Sequence, residues 1–502
     1  MSLDDAVRDS VRAFGARPAK VLPFYVAGLA VPVITRVVPV VGLFLAYLSL
    51  RGSGRIEAVR DELEGESPIG FEDPGTTDVD EEALGEALLD LLTPTVIAIL
   101  LVTTLLAIVL FAVMQAAVSA GRLHAVYAVL SDGDATEAGV DGVFADTWTF
   151  LGLAIVELLA YLFLFGIPTA LVAVAVGLDL VLLALPAIPL FLLAAVASLG
   201  VRLLFAFARP AIVVDDAGVV AGIRGALGYV RRNLTVAIGY GTLTIGLLVA
   251  ANVVSGAFSQ LGAVTVTTLL PLVFVFPLVD LVKTRLYADD AEVDLSPPTS
   301  PEADRLPRLR AGFARGWSAL WTFTRGHLGL VGVSTVVLLA GVWVGLWAGA
   351  QVDDLFAASI EARLDRQGPV GAFFNYAANN WSVAAGQSLS GLVFGLPTIV
   401  SLAFNGANVG FLYQLEVEPE ILVAFVLPHG IVEVPALLLS GALGLHLGRL
   451  GWGYVFGSVS RERLADDIDR GFQVLVGLAI LFVLAAVIEA FVSPYYWRLL
   501  GI

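Results

Sequence analysis

Long apolar stretches with few charges recur along the whole chain, and they limit the folds that it can adopt. A membrane-spanning α-helix needs about 20 consecutive, mostly apolar residues. Stretches of this kind predict an all-α, polytopic integral membrane protein whose first partner is the lipid bilayer. Up to residue 404 they are Val21 to Leu50, Pro94 to Val113, Leu151 to Gly177, Leu180 to Leu204, Thr235 to Val254, Val264 to Val282, Leu328 to Ala350 and Val383 to Phe404.

Further apolar stretches follow in the last fifth of the chain. Ile431 to Leu447 and Val474 to Phe491 are uninterrupted, whereas Asn405 to Leu427 contains three glutamates between 416 and 420. We therefore predict ten or eleven transmembrane helices, with Asn405 to Leu427 either crossing the membrane or re-entering it. The composition agrees, because only 15% of the residues are charged, against about 25% in an ordinary soluble domain.

The distribution of basic residues predicts the orientation, because such residues near span ends stay in the cytoplasm. They are concentrated before the first span, between the fourth and fifth spans, after the sixth span, and from Arg449 to Arg470. These segments, including the N-terminus, are predicted to be cytoplasmic in a multi-pass protein of the cell membrane. Asp61 to Asp90 has twelve acidic residues and no basic one, and is predicted to be external. This orientation requires an even number of crossings between Leu328 and Leu447.

The charge balance is strongly acidic, with 45 acidic against 28 basic residues and a formal net charge of −17. Arginine is retained while Lys20 and Lys283 are the sole lysines, a pattern that predicts a halophilic source. No basic patch is available for nucleic acid, so we expect no nucleic-acid partner. The chain has no cysteine, which excludes disulfides and thiolate chemistry. We also expect no cleavable signal peptide, because the first apolar stretch is too long for one.

A proline- and serine-rich segment divides the chain into two hydrophobic blocks. Ser296 to Pro301 reads Ser-Pro-Pro-Thr-Ser-Pro, which cannot continue a helix. We predict a six-span membrane domain over 1–287, an acidic cytoplasmic linker over 288–310, and a second membrane domain of four or five spans over 311–502.

Polar residues interrupt the apolar sequence of the second block. A histidine or carboxylate near the middle of a lipid-facing helix costs roughly 2.5 to 3.5 kcal/mol or more, so such residues usually face a protein interior or a wet cavity. Pro428 removes a backbone donor and Gly430 permits close backbone approach, which predicts a break or kink in the helix. The candidate intramembrane polar site comprises His429, Glu433, Glu489, Asn405, Asn408, Asn379 and Asn380.

Three uses of this site are compatible with its residues. The groups can bond to one another and specify packing, they can form an ion, proton or substrate site, or they can be catalytic. His429 and Glu433, four residues apart, share a helix face if the helix resumes after Pro428, and Glu489 can approach from the last span. The spans of the first block offer no obvious relay partner for a proton path.

Enzyme activity is not expected, because the motifs it requires are missing or broken. His429 and Glu433 supply two metal ligands where catalytic zinc usually has three, so we expect neither a metal nor another cofactor. A serine-protease pattern around Ser390 is interrupted by Ser388, and no phosphate-binding loop occurs.

Several polar motifs occur in a fixed order along the second block. They are Asn379-Asn380, Asn405-Gly406, Pro-His-Gly-Ile-x-Glu from 428 to 433, Gly441 to Gly444, and Ile-Glu-Ala-Phe-x-Ser-Pro from 488 to 494. In order and approximate spacing they resemble the stage II sporulation protein M family over about residues 310 to 495. The resemblance implies an integral membrane component that, in spore formers, is linked to membrane engulfment alongside cell-wall hydrolases.

Two functions from different classes follow. The first is a non-enzymatic scaffold or envelope-remodelling component that acts through membrane or envelope protein partners. The alternative is a transporter or channel subunit with a midplane polar site at the broken helix around Pro428. Glycine pairs four residues apart, such as Gly341 and Gly345, permit close helix packing, either within the chain or in a homo-oligomer.

Overall fold

The computed structural model describes residues 1–62, 69–70, 85, 89–295, 305–353, 355–360 and 368–501. These residues are almost entirely helical, which confirms the predicted all-α class. The α-helices are α1 (Leu3–Ala16), α2 (Pro18–Val26), α3 (Ala30–Gly52), α4 (Arg55–Glu62), α5 (Pro94–Leu130), α6 (Ala135–Gly177), α7 (Ala187–Val214), α8 (Val219–Arg232), α9 (Leu234–Gln260), α10 (Val266–Leu270), α11 (Phe276–Asp290), α12 (Arg305–Gly326), α13 (Leu328–Gly349), α14 (Pro369–Ser390), α15 (Leu396–Leu415), α16 (Pro419–Val455), α17 (Arg461–Phe491) and α18 (Ser493–Leu500).

Short elements connect or extend these helices. Two 3₁₀ turns (Ala27–Leu29 and Val181–Ala184) and one π-helical turn (Pro271–Val275) adjoin helices. The strands β1 (Ile69–Gly70) and β2 (Phe356–Ala357) pair in parallel. Much of the predicted external segment Asp61 to Asp90, the Ser-Pro run of the predicted linker, and residues 354 and 361–367 lie outside the described residues.

The chain divides into two compact units that are not consecutive in sequence. Unit 1 comprises Met1–Tyr25, Ala112–Ala251 and Pro271–Glu302, and unit 2 comprises Val26–Phe111, Asn252–Leu270 and Ala303–Ile502. The candidate polar residues all belong to unit 2. Segments of the first sequence block, including α3, also belong to unit 2, so the two units do not coincide with the two blocks expected from the linker.

Unit 2 is organised around a close contact between α13 and α15. Added Cβ atoms on Gly341 and Gly345 would overlap the carbonyl oxygens of Ala403 and Ala407, so the two backbones touch. The contacting residue numbers rise together, which means that α13 and α15 run parallel. In lipid, where apolar side chains gain little by leaving their solvent, such small-residue contacts are a main source of helix association.

A second close contact joins α14 and the following turn to α16. Gly391 packs against the backbone of Gly444, and Gly448 lies against Gly395. Here too the numbers rise together, so α14 and α16 run parallel. Gly395 has a φ of +75°, a left-handed conformation that suits glycine and ends the turn between α14 and α15. These glycine pairs therefore pack helices against one another within the chain, which is the first of the two uses that the sequence allowed.

The helix bounds correct two of the spans that were predicted from the hydropathy pattern. The predicted spans Val383 to Phe404 and Asn405 to Leu427 are wrong, because the first contains the turn after Ser390 and the second contains the turn between α15 and α16. Both turns are flanked by apolar residues, so the hydropathy pattern does not reveal them. Of the helices α13 to α16, α13 and α16 are long and apolar enough to cross a membrane, and the even number of crossings that the arginine distribution requires stays a prediction.

Nine helical segments within the described residues are long and apolar enough to cross a membrane. The helices α14 and α15 are not among them, although they have 22 and 20 residues and pack along α16 and α13. Their asparagine, glutamine and serine residues lower their hydropathy. The multi-pass membrane class that the sequence predicts is thus supported by the structure.

The predicted break at Pro428 does not occur, because α16 continues as a single 37-residue helix through both Pro428 and Pro435. A proline inside a helix removes one backbone hydrogen bond and crowds the preceding turn. Membrane helices tolerate this because neighbouring helices and local adjustments satisfy the freed groups. His429 and Glu433 consequently lie on a continuous helix, one turn apart.

We expect Gly345→Ala to lower the free energy of unfolding by about 1 to 3 kcal/mol, because the new methyl group forces α13 away from α15. Thermal unfolding of the detergent-solubilised protein measures this effect. Gly332→Ala is the matched control on the same helix, since no atom lies within 4 Å of a Cβ at Gly332. Equal unfolding temperatures for the two variants would contradict the contact.

The alternating helix directions predict opposite sides of the membrane for the two ends of this bundle. Three helices separate Gln351 from Ser458, and both residues are exposed. Because the chain has no native cysteine, Gln351→Cys should react with a membrane-impermeant maleimide in intact cells, and Ser458→Cys should react only after the membrane is opened. Labelling of both variants in intact cells would overturn the topology.

Candidate functional site

Three of the predicted polar residues come together between α16 and α17. Ligand atoms of His429, Glu433 and Glu489 all lie within 4.8 Å of one another. His429 and Glu433 occupy successive turns of α16, and Glu489 lies near the end of α17, which runs antiparallel to α16. We call these three residues the His-Glu cluster. Sequence spacing predicted the first pair, and the antiparallel helix supplies the third member.

The imidazole of His429 is fixed by its neighbours. Its side chain is 6% exposed, and Nδ1 lies 2.9 Å from the hydroxyl oxygen of Ser493, the first residue of α18. The ring of Phe425 contacts it edge-on, with 5.3 Å between the ring centroids. Phe425 in turn packs with Ile360 and Ile421. Helix packing and one hydrogen bond therefore hold the imidazole in a single orientation.

Glu433 is the partly buried carboxyl group of this cluster on α16. Its Oε2 atom is buried and has no hydrogen-bond partner among the described residues. A buried polar atom without a partner costs roughly 1 to 3 kcal/mol, and more for a charged group. The Oε2 atom of Glu433 is therefore an atom for which a proton, a water molecule or a cation would be a favourable partner.

The position of the His-Glu cluster along the helices fixes its depth. At about 1.5 Å per residue, roughly 24 Å of helix separates Glu433 from Arg449, and roughly 28 Å separates Glu489 from Arg470. The hydrocarbon layer is about 30 Å thick. With the arginines at one boundary, the cluster lies toward the opposite edge of the layer and away from its midplane.

The four asparagines of the predicted site do not join the cluster. Asn405 donates a hydrogen bond to the Ser401 carbonyl of its own helix, at 2.8 Å. Asn379 donates to its neighbour Asn380 on α14, at 3.2 Å. Asn408 is exposed on α15. Their order along the chain is consistent with the family resemblance, but their helix positions separate them from His429.

A buried polar network that sequence reasoning missed lies at the α14, α15 and α16 contact. The side-chain amide of Gln387 donates to the hydroxyl of Ser440 (2.7 Å) and to the carbonyl of Leu437 (3.2 Å), and its oxygen accepts from Ser401 at 3.1 Å. Its backbone carbonyl accepts from Thr398 at 2.7 Å. Every polar group of the Gln387 side chain is thus satisfied, which identifies the network as a structural connection between three helices.

The other end of α16 borders a cavity of about 500 Å³ between α12, α16 and α17. The rings of His327 and His446 meet there at 4.6 Å. Asp467 lies 2.6 Å from Arg463 and 3.3 Å from Arg470. This cavity contains charged groups from the arginine-rich end of unit 2, and His429 is not among its lining residues.

Unit 1 contains a buried ion cluster of its own. Asp280 accepts a hydrogen bond from the Tyr25 hydroxyl at 2.7 Å, and its carboxylate lies 2.6 Å from the ammonium of Lys283 and 3.0 Å from Arg122. Asp280 and Lys283 are three residues apart, whereas Tyr25 and Arg122 come from distant parts of the chain, so no local pattern signals the whole cluster.

A second buried carboxylate of unit 1 is also paired. Glu157 lies 2.9 Å from Arg209 and 3.3 Å from Arg202. The expectation that the first block holds no ionisable partner inside its spans is therefore wrong. In both places the acid is neutralised by a base, in contrast to Glu433.

The fold and the polar residues define a polytopic α-helical membrane protein. The profile of the family described as stage II sporulation protein M matches residues 334–494. An uncharacterized protein of Methanocaldococcus jannaschii is 33% identical over 120 residues, which are 23% of this chain and 67% of that protein. No solved structure matches the chain. The chain belongs to the stage II sporulation protein M family, and the matched region contains α14 to α17 in full, with the His-Glu cluster.

If the cluster acts as one unit, its residues are energetically coupled. His429→Ala and Glu489→Ala should each lower the free energy of unfolding by about 1 to 3 kcal/mol, because each leaves buried partners unsatisfied. The double variant should lose less than the sum, by about 0.5 kcal/mol or more. Chemical unfolding in detergent with a chelator present measures these values. His429→Ala combined with His446→Ala, about 25 Å apart on α16, is the control and should be additive.

Proposed function

We propose that this protein is a non-enzymatic, multi-pass component of the cell membrane that organises or remodels the cell envelope by binding other envelope proteins. Membership of the stage II sporulation protein M family supports a membrane component. The choice of a scaffold over a transporter comes from one observation, which is the lack of ionisable groups along α13, α14 and α15 and across the middle of α16 and α17.

The two charged regions of α16 are separated by a long neutral stretch. Between Glu433 and His446, α16 carries no acidic, basic or histidine residue, and α17 carries none between Arg470 and Glu489. The helices α13, α14 and α15 contain none at all. A proton or ion path through the bundle would need polar or ionisable side chains along this neutral stretch, which is roughly 20 Å of helix long on α16.

The neutral stretch is also closely packed. The small residues of α16 at this level are buried, namely Ala436, Gly441, Ala442 and Gly444. The side-chain amide of Gln387 on α14 makes its hydrogen bonds to α15 and α16. Glycine-to-backbone contacts leave no width for a hydrated path at these positions. At these positions α14, α15 and α16 therefore form a closely packed framework.

The His-Glu cluster also lacks the access that catalysis needs. Ser493 contacts His429 as a serine nucleophile would contact its base, yet Ser493 is 0% exposed. A nucleophile must reach the reacting atom of its substrate, with heavy atoms about 3 to 3.5 Å apart. The burial of Ser493 favours a positioning role and supports the proposal of a protein without enzyme activity.

The connection from α13 to α14 is the surface that we propose for partner binding. It follows α13, and its first part is held in place by the turn between α15 and α16. The backbone of Ala358 pairs with Leu415 and Val417 (2.8 and 3.0 Å), and the N–H of Ile360 donates to the carboxylate of Glu416 at 3.1 Å. An ordered segment at the end of the bundle can present a defined surface to a partner.

Reconstitution into liposomes tests the choice between scaffold and transporter. We expect no proton or cation flux above that of empty liposomes from the wild-type protein, measured at high salt because of the acidic composition. Glu433→Gln preserves the side-chain shape and removes its charge, so it should behave like wild type in this assay. Robust wild-type flux that Glu433→Gln abolishes would overturn the scaffold in favour of the transporter alternative.

A positive test of the scaffold is cross-linking in native membranes. A photo-cross-linker placed at Gln351 should trap a defined membrane or envelope protein, and the same group at Ser458, on the other predicted side, should not trap it. The Glu433→Gln variant should trap the same protein as wild type. If neither position traps a partner in native membranes, the proposed partner surface is wrong.

A further inference from the structure

We propose that His429, Glu433 and Glu489 bind one divalent transition-metal ion between α16 and α17. The inference does not depend on the proposed function, because a structural metal is compatible with a scaffold or a transporter. It rests on the geometry of three side chains, the buried oxygen of Glu433, and the chemistry of the donor atoms.

The three donor atoms lie close to the separation that a shared ion requires. Zinc-type ions bind histidine nitrogen and carboxylate oxygen at about 2.0 to 2.2 Å, so two donors on one ion are at most about 4.4 Å apart. The ligand atoms of the His-Glu cluster lie within 4.8 Å of one another. Binding one ion therefore requires these side chains to draw slightly closer together.

The helices provide a rigid frame for these donors. His429 and Glu433 are one turn apart on a continuous helix, the spacing by which two ligands share one face. The hydroxyl of Ser493 at 2.9 Å from Nδ1 gives His429 the outer hydrogen bond that usually orients a metal-binding imidazole. The side chain of His429 is 6% exposed, so its orientation persists without the ion.

The buried Oε2 atom of Glu433 is the independent sign of a cation. It has no hydrogen-bond partner among the described residues, although the buried acids Glu157 and Asp280 each have basic partners. A carboxylate at this depth needs a proton or a positive charge. An ion held jointly with His429 and Glu489 supplies that charge and uses the oxygen that the protein leaves unsatisfied.

The donor set selects the kind of metal. Imidazole nitrogen favours zinc, iron, cobalt or nickel, whereas calcium and magnesium prefer all-oxygen sites. One nitrogen and two carboxylates therefore point to Zn²⁺ or a similar ion. Three protein ligands leave a position for water. The sequence-based expectation of no metal counted the two ligands of one helix, and the structure adds Glu489 from α17.

Metal analysis of the full-length protein, purified without a polyhistidine tag and stripped with a chelator, tests the proposal. After dialysis against Zn²⁺ and removal of free ion, we expect about one zinc per chain by mass spectrometry. Zn²⁺ should also raise the thermal unfolding temperature, while Ca²⁺ and Mg²⁺ at the same concentration should have little effect. A wild-type protein that retains no zinc would overturn the proposal and leave a proton as the partner of Glu433.

Matched variants locate the ion. Glu433→Gln, Glu489→Gln and His429→Gln should each weaken zinc binding at least tenfold, while His446→Gln and Glu420→Gln, on the same helix but outside the cluster, should bind as wild type does. Equal binding by all five variants would place the zinc elsewhere and refute the site.

Spectroscopy of the wild-type protein keeps the test decisive if the cluster variants fail to fold. X-ray absorption at the zinc edge should show one imidazole among nitrogen and oxygen ligands. A first shell with no imidazole, or with more than one, would contradict a site made by His429 as the sole histidine.

Discussion

The contact between the backbones of α13 and α15 is the constraint on which unit 2 depends. Helices in lipid gain little from burying apolar side chains, so their association relies on close packing and on hydrogen bonds between helices. Gly341 and Gly345 allow the backbone of α15 to approach so closely that no side chain fits between. The buried faces of α14 and α15 can then meet α16, where the Gln387 side chain finds its three partners. Without close packing of these helices, the polar groups of Gln387 and Ser401 would lose these hydrogen bonds at substantial cost.

The position of the His-Glu cluster follows from the same packing. The parallel contact of α14 with α16 fixes the height of α16, because Gly391 meets Gly444 and Gly395 meets Gly448. The helix α17 then runs back along α16, which brings Glu489 beside Glu433. A slip of one turn between α16 and α17 would move Glu489 by about 5.4 Å relative to His429 and Glu433 and disperse the three donors. The geometry of the cluster thus depends on the register of α16 against α17.

The sequence predicted the fold class and most membrane helices, because a 20-residue apolar stretch has few alternatives to a transmembrane helix. It failed where turns are made of apolar residues and glycine. Residues 391 to 395 read Gly-Leu-Val-Phe-Gly, which a hydropathy average cannot distinguish from helix interior. It failed in the opposite sense at Pro428, where the local rule for proline predicts a break and the surrounding helices maintain α16.

The site was predictable to the extent that its residues are local in sequence. The spacing of His429 and Glu433 follows from helix periodicity alone, whereas the approach of Glu489 requires the antiparallel pairing of α16 and α17. Asn405 and Asn408 were grouped with the site because they share its apolar surroundings, yet polarity within a span does not reveal which face a residue occupies.

The comparison of the buried acids in the two units gives the last step of the argument. Glu157 and Asp280 in unit 1 each have arginine or lysine within about 3 Å, so their charges are compensated within the protein. Glu433 in unit 2 belongs instead to a group in which its carboxylate lies within 4.8 Å of ligand atoms of an imidazole and of a second carboxylate. Among the described residues, the two units thus hold buried acids in different surroundings, with a base beside Glu157 and Asp280 and with an imidazole and a second carboxylate beside Glu433. The zinc ion that we propose would supply at Glu433 the positive charge that arginine and lysine supply in unit 1.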